Sequence, residues 1–268
     1  MNSFDIQTTR SRNWEIEEEE EESTQYFPLP QPKLNITKKD IDCSNKTLII
    51  ATKEAPSIFI RSFFINDKSE SELEEIGDIT IDDIKIIKTN ENILNNRCTI
   101  YKLKSNDSVI VILSQVTEPS DRSFNLAKVI IGQFKNTLSI LVLDSILDAR
   151  YLAFDHKHPI PPFVRAIYTS NFENKYSLKP LESPNIVERL TAAIITTSQQ
   201  LNIPACSVFS LTEPILNLES VQAYESICQD IYPNIFTTPN ATLKTSRLEM
   251  YKKLTHLVNK QNDKGFYI

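Results

Sequence analysis

Short apolar runs alternate with segments of helical periodicity from Thr47 to Val258, and this alternation is the strongest constraint on the fold. The apolar runs carry few charges, which is typical of strands that are buried on both faces of a sheet. The predicted strands are 47–52, 138–143, 163–169 and 205–211. Strands that alternate with helices predict a three-layer α/β sandwich, with a mostly parallel or mixed central sheet flanked by helices.

Four segments have the 3.6-residue apolar period of helices that pack on a core. One of them opens with Ser183-Pro184, a serine cap followed by a proline in the first turn, which favours a helix start. A hairpin is predicted where 98–103 and 108–113 flank the polar residues 104–107. Two of the predicted helices begin at Ser120 and Ser183, and the second of these is predicted to place one apolar face towards the core: Ile186, Leu190, Ala193, Ile194 and Leu201. The inner faces of the other two are predicted to carry Leu218, Val221, Tyr224 and Cys228, and Leu243, Met250, Tyr251, Leu254, Leu257 and Val258.

The distribution of charge divides the chain into a tail and a body. Glu15 and Glu17 to Glu22 supply seven negative charges, whereas the net charge of all 268 residues is −6, so the body is close to neutral. Runs of like charge usually stay solvated and disordered, and the prolines at 28, 30 and 32 favour extended chain. We therefore predict a disordered acidic, proline-containing tail over 1–44, a single α/β domain over 45–260 and a flexible C-terminal tail over 261–268.

Two classes of partner are not expected for this chain. The body has no stripe of clustered Lys and Arg, so no nucleic acid is predicted to bind. No apolar run approaches the roughly 20 residues that cross a bilayer, so no membrane insertion is predicted. The N-terminus is polar and then acidic, unlike a secretory signal, and the 4 cysteines are scattered, which together predict the cytoplasm or the nucleus.

Glycine is scarce, since the only glycines are Gly77, Gly132 and Gly265. A phosphate loop, a dinucleotide fingerprint and a nucleophile elbow each need two or three glycines close together. None of these motifs can be built here. We therefore expect no nucleotide enzyme of the common kinds and no cofactor.

Few residues remain as catalytic or metal-binding candidates. Asp144 and Ser145 follow the strand at 138–143, at the kind of edge where α/β proteins place catalytic groups. No partner base is evident for them, and a loop cap is the simpler interpretation. His156 and His158 offer two metal ligands, but a third would have to come from elsewhere, so no metal site is predicted.

Three further residues are interpreted as structural. Glu182 and Glu188 flank Pro184 and fit the placement of negative charge at the positive end of a helix. Cys206 lies within an apolar run and is interpreted as a small buried hydrophobic residue rather than a reactive thiol.

Phe266, Tyr267 and Ile268 form a hydrophobic–Tyr–any-residue tail after the polar segment 261–265. Such a peptide can place its apolar residue and its ring in a pocket while the terminal carboxylate meets a cation or backbone donors. A frayed end is the alternative, because chain termini are usually disordered unless tied down.

Several motifs follow one another in the second half of the chain. The run PPFVRAIYTSNF at 161–172 leads into LESPNIV at 181–187, and then come Ala192-Ala193-Ile194 and NIPA at 202–205. In this order the motifs resemble those of the proteasome assembly chaperone 1 family. The similarity is densest from 159 to 211 and extends from about 45 to the end. Residues 102–106 and the acidic run are also similar to that family.

The resemblance implies an α/β fold without enzymatic activity and an obligate partner, proteasome assembly chaperone 2. It implies that the heterodimer acts on the α-subunit ring of the proteasome core particle and prevents premature or off-pathway association. It further implies that the tail inserts between neighbouring α subunits. Phe266 would fill the apolar part of the pocket, Tyr267 would wedge its ring, and the carboxylate of Ile268 would pair with a lysine. Residues 261–268 would reach about 27 Å if fully extended.

Two alternatives to the chaperone remain open. One is a proteasome activator that uses the same tail, although an ATP-driven body is disfavoured because the phosphate loop is missing. The other is a diverged α/β hydrolase- or phosphorylase-like enzyme, with its chemistry around Asp144, Ser145 and His156. A deep pocket uniting those three side chains would favour the enzyme.

Overall fold

The computed structural model describes residues 30–37, 42–64, 71–82, 84, 97–116, 120–134, 136–153, 159, 162–173, 178–236 and 241–265. The chain divides into two compact units, Met1–Pro30 and Gln31–Ile268. All the elements of the fold described below lie in the second unit.

Among the described residues, eight strands form one mixed sheet in the order β1-β3-β4-β5-β2-β6-β8-β7. The strands are β1 Lys33–Ile36, β2 Thr47–Ala51, β3 Leu73–Thr80, β4 Cys98–Leu103, β5 Asn106–Ser114, β6 Ser139–Leu147, β7 Val164–Tyr168 and β8 Ala205–Thr212. At the centre, β2 pairs in parallel with β5 and β6, and β6 pairs in parallel with β8. The flanking pairs β1–β3, β3–β4, β4–β5 and β7–β8 are antiparallel.

Five α-helices of the described chain cover the two faces of this sheet. They are α1 Ala55–Phe64, α2 Ser123–Gln133, α3 Arg189–Gln200, α4 Leu218–Ile231 and α5 Ala241–Gly265. Helices α1, α4 and α5 pack on one face, and α2 and α3 pack on the other. Short 3₁₀ turns precede α2, at Ser120–Arg122, and follow β6, at Asp148–Arg150.

The side chains of β2 show how the sheet separates two cores. Successive side chains of a strand point to opposite faces, so Leu48 and Ile50 enter the core under α2 and α3. Ile49 and Ala51 enter the core under α1, α4 and α5. All four residues are fully buried, which explains why the strand is apolar from Leu48 to Ala51. The structure thus confirms the predicted three-layer α/β sandwich with a mixed sheet.

The boundary of the predicted N-terminal tail is corrected by β1. The tail was predicted over 1–44, but Lys33–Ile36 pairs with β3 and belongs to the sheet. Gly77 of β3 permits this pairing, because a Cβ atom there would overlap the carbonyl oxygen of Asn35. The acidic run and the other residues of 1–29 lie outside the described residues.

The helix predicted to start at Ser183-Pro184 begins at Arg189 instead. The side chain of Asn185 explains the difference. Its amide donates to the Leu152 carbonyl oxygen at 2.9 Å and its Oδ1 accepts from the Leu152 N–H at 2.8 Å. The segment before α3 is therefore held against the loop that follows β6. Ile186, predicted to face the core, is exposed.

Candidate functional site

The predicted tail residues Phe266, Tyr267 and Ile268 lie outside the described residues, but the helix that leads to them is described. Helix α5 continues to Gly265. The segment 261–265, predicted as part of a flexible tail, is therefore helical, and the reach of about 27 Å expected for 261–268 is corrected downward. Three residues of the sequence follow the helix, and they extend about 10 Å at most.

Helix α5 is fixed to the body by apolar side chains and by one arginine. Tyr251 and Val258 are buried in the core shared with α1 and α4. The guanidinium of Arg247 lies 3.6 Å from the centre of the Phe63 ring on α1, and its Nη1 is 3.9 Å from an oxygen of Glu225 on α4. Burial lowers the pKa of Arg247, while Tyr251 and Glu225 oppose that shift. An arginine stacked on a ring and close to a carboxylate ties three helices together.

The last described side-chain contact of α5 is made by Asn259. Its amide donates to the carbonyl oxygen of Leu216 at 2.9 Å, and its Oδ1 accepts from the Leu216 N–H at 2.9 Å. Leu216 lies in the loop between β8 and α4. Because β8 ends at this loop, the carboxyl end of α5 lies at the edge of the sheet where the parallel strands also end.

A groove of about 540 Å³ opens at the same edge. Asp144 lies in its lining, and both of its carboxylate oxygens are occupied. Oδ1 accepts from the Thr52 hydroxyl at 2.7 Å and from the Ser145 N–H at 2.8 Å, and Oδ2 accepts from the Thr191 hydroxyl at 2.6 Å. Burial raises the pKa of Asp144, and these hydrogen bonds oppose the rise. The carboxyl group thus joins β6 to the end of β2 and to the start of α3.

The residues proposed for the enzymatic alternative are only partly brought together. Asp144 and Ser145 line the groove, whereas His156 lies outside the described residues. In the described part of the chain, the Ser145 hydroxyl makes no hydrogen bond to a base. Tyr224 is buried in the core, and its hydroxyl donates to the Asp144 carbonyl oxygen at 2.6 Å. Burial raises the pKa of Tyr224 well above its ordinary value, so its hydroxyl stays protonated.

The two glutamates predicted at a helix start have different roles. Glu182 accepts from Arg165 Nε at 2.6 Å and from the Tyr151 hydroxyl at 2.7 Å. Burial raises the pKa of Glu182, but the bonds from Tyr151 and Arg165 outweigh it and lower the pKa overall. Glu188 lies 3.6 Å from Arg150 and directly precedes α3. Only Glu188 is therefore at a helix end, because α3 starts later than predicted.

The remaining candidates are inert in the described structure. Cys206 is fully buried on β8, and burial raises the pKa of its thiol to about 12, which confirms that it packs as a hydrophobic residue. Across the described ranges, no group of three His, Cys, Asp or Glu side chains is arranged to hold a metal ion. None of the described helices is long and apolar enough to cross a membrane.

Sequence reasoning did not find Thr52 and Thr191 as partners of Asp144, or Asn259 as the residue that holds the end of α5. Threonines after a predicted strand and an asparagine on a polar helix face are common, and only the tertiary structure brings them to their partners. The one available signal is the position of Thr52 directly after β2, at the same sheet edge as Asp144.

The chain is similar in sequence to proteasome assembly chaperones. The PAC1 family model, described as Proteasome assembly chaperone 4, matches residues 7–267. A Dictyostelium discoideum protein named Proteasome assembly chaperone 1 is 43% identical over 278 residues, with 100% of each chain covered. A Homo sapiens protein of that name is 30% identical over 133 residues, which cover 48% of this chain and 46% of the human one.

Solved structures share the fold at low sequence identity. Pyrococcus furiosus PbaA, described as an archaeal homolog of proteasome-assembly chaperone, has a TM-score of 0.61 at 12% identity, over 87% of this chain and 99% of its own. Pyrococcus furiosus PbaB, described as an archaeal proteasome activator, has the same TM-score of 0.61 at 12% identity, with the same coverage of 87% and 99%. At this identity the similarity shows the fold alone.

Proposed function

Since the chain belongs to the PAC1 family of proteasome assembly chaperones, we propose that it is a non-enzymatic chaperone that forms a heterodimer with proteasome assembly chaperone 2 and binds the α-subunit ring of the core particle. The observation that carries this proposal is the identity of 43% to a named assembly chaperone over the whole chain. Its work would take place where core particles assemble, in the cytoplasm or the nucleus.

The tail is the proposed contact with the ring. Phe266 would fill the apolar part of a pocket between neighbouring α subunits, Tyr267 would wedge its ring there, and the carboxylate of Ile268 would pair with a lysine. The docked α5 supports this role, because a rigid helix delivers three residues to one place. A short peptide on a rigid support loses less conformational freedom on binding than a long flexible one.

The state of Asp144 supports a non-enzymatic function. A general base must offer an acceptor position within hydrogen-bonding distance of the proton that it removes. Of the roughly four acceptor positions of the Asp144 carboxylate, three are taken by hydrogen bonds from the hydroxyls of Thr52 and Thr191 and from the backbone N–H of Ser145. We therefore assign this carboxylate to holding the strand ends together.

Removal of Phe266 to Ile268 tests the proposal. The truncated chain would be expressed together with proteasome assembly chaperone 2, and the heterodimer would be used to capture unassembled α subunits. We expect recovery of α subunits to fall at least about tenfold, since buried aromatic anchors dominate small interfaces, while recovery of the partner chaperone stays unchanged. Tyr267→Ala should cause most of the same loss.

Tyr168→Ala provides the matched control, because Tyr168 is an exposed tyrosine on β7 of the body. Its replacement should leave α-subunit recovery within about twofold of the unmodified chain. Unchanged recovery with the truncated chain would contradict the proposed role of the tail.

A further inference from the structure

The carboxyl edge of the parallel strands gathers the end of α5 and several exposed apolar side chains. Asn259 holds α5 to Leu216 at this edge. The helix then continues for six residues to Gly265, a rise of about 9 Å. The carboxyl end of α5 therefore lies at this edge.

Four exposed aliphatic residues lie at the same edge, and we call them the edge patch: Leu147, Leu152, Ile186 and Ile215. They are exposed to 41%, 54%, 79% and 69% respectively. Leu147 ends β6 and pairs with Thr212, the last residue of β8, and Ile215 lies three residues beyond Thr212, next to the Leu216 that Asn259 holds. Exposed apolar residues that cluster in this way mark an interaction surface.

Leu152 and Ile186 are brought to the edge patch by one contact. The Asn185 side chain binds both the N–H and the carbonyl oxygen of Leu152. This contact holds the segment before α3 outside the helix, so that Ile186 points away from the core. Leu147, Leu152 and Ile186 all line the groove, while Ile215 is on the neighbouring loop towards α5.

We infer that the edge patch is the surface of the body that lies on the α-subunit ring when the tail occupies its pocket. This inference depends on the proposed function. Residues 266–268 can reach about 10 Å from Gly265, and Arg247, Tyr251 and Asn259 hold α5 to the body. A pocket reached by this tail must therefore lie close to the edge from which α5 emerges. The inference requires the facing ring surface to be apolar around the proposed lysine-containing pocket.

The test compares charged substitutions at the two ends of the sheet. Ile186→Glu and Ile215→Glu change the edge patch. Leu138→Glu and Leu201→Glu are matched controls, because these leucines are exposed to 55% and 57% but lie at the amino edge, just before β6 and just after α3. Each variant would be purified as the heterodimer with its partner chaperone and titrated against α-subunit rings, and its thermal midpoint would be compared with that of the unmodified chain.

We expect Ile186→Glu and Ile215→Glu each to weaken ring binding about tenfold or more, with the thermal midpoint unchanged. The two controls should change ring binding less than about twofold. If the edge variants bind the ring normally while deletion of 266–268 abolishes binding, the inference is overturned and the proposed function stands. If the edge variants lose the partner chaperone instead, the patch is the heterodimer interface and the inference is equally overturned. If the deletion has no effect on ring binding, the proposed function fails first.

Discussion

Asp144 connects three parts of the fold through its side chain. It lies on β6, accepts from Thr52 at the end of β2 and accepts from Thr191 in the first turn of α3. A buried carboxyl group is costly unless its oxygens are satisfied, and here both are. The residue that the sequence offers as a catalytic candidate is thus explained by its structural contacts.

Two substitutions of Asp144 should separate the effect of its hydrogen-bond acceptors from the effect of its negative charge. Asp144→Ala leaves the two threonine hydroxyls and the Ser145 N–H without their acceptor, and we expect it to lower the free energy of unfolding by about 2 kcal/mol. Asp144→Asn keeps an oxygen for Thr52 and should cost less. Urea denaturation of the two variants measures the difference, and an equal loss would contradict the assigned contacts.

The pH dependence of stability should reveal the ionisation of Asp144. Burial raises the pKa of Asp144 in the folded protein, so the folded state holds this proton more tightly than the unfolded state. The stabilisation that comes from protonated Asp144 is therefore fully present below the pKa of the unfolded state. It is lost as the pH rises through the pKa of the folded state. Relative to Asp144→Asn, the unmodified chain should become less stable as the pH rises from about 4, in urea titrations at several pH values. A constant difference would contradict a raised pKa.

At the scale of elements, the join of β1 to the sheet depends on Gly77. A Cβ at Gly77 would overlap the backbone oxygen of Asn35, whereas a Cβ at Gly132 of α2 would meet nothing within 4 Å. We expect Gly77→Ala to destabilise the protein by about 1–3 kcal/mol, because backbone atoms cannot move aside cheaply. Gly132→Ala should stabilise it by up to about 1 kcal/mol, because alanine is the better helix former. Urea midpoints of the two variants that shift in the same direction would contradict this account.

Sequence patterns predicted the short apolar strands and the helices with one buried face. They missed elements whose burial or pairing depends on contacts between distant residues. The strands β2, β6, β7 and β8 and the hairpin β4–β5 were found because their apolar runs are bounded by turn residues. Helix α1 was missed because all ten of its residues are buried, which removes the 3.6-residue period. Strand β1 has only four residues, and its pairing with β3 is a long-range contact that local sequence does not encode.

The local stability of the last turns of α5 should depend on Asn259. Replacing it with alanine removes two hydrogen bonds to Leu216, each of which contributes about 1 kcal/mol. We expect Asn259→Ala to increase amide hydrogen exchange over 259–265 while the core strands stay protected. Lys260→Ala changes an exposed neighbour and should leave exchange unaltered. Equal exchange in the two variants would show that the packing of Tyr251 and Val258 alone holds the helix.

At the scale of the whole molecule, one proposed contact can be found from the sequence and the other only from the structure. The tail residues 266–268 could be proposed from the sequence, because their pattern is local. The edge patch could not, because the exposure of Ile186 follows from the contact of Asn185 with Leu152, and the position of Ile215 beside α5 follows from Asn259. The helical spacing of apolar residues wrongly predicted that Ile186 faces the core.

The molecule as a whole should bind the α ring without activating the finished core particle. This expectation rests on the identity of 43% to a named assembly chaperone over the whole chain. Adding the purified heterodimer to mature core particles should therefore leave the hydrolysis of a fluorogenic peptide unchanged, while deletion of 266–268 abolishes binding to α rings. The activator alternative predicts the opposite: a rise in hydrolysis that depends on the tail. A tail-dependent increase of several-fold would replace the chaperone proposal with that alternative.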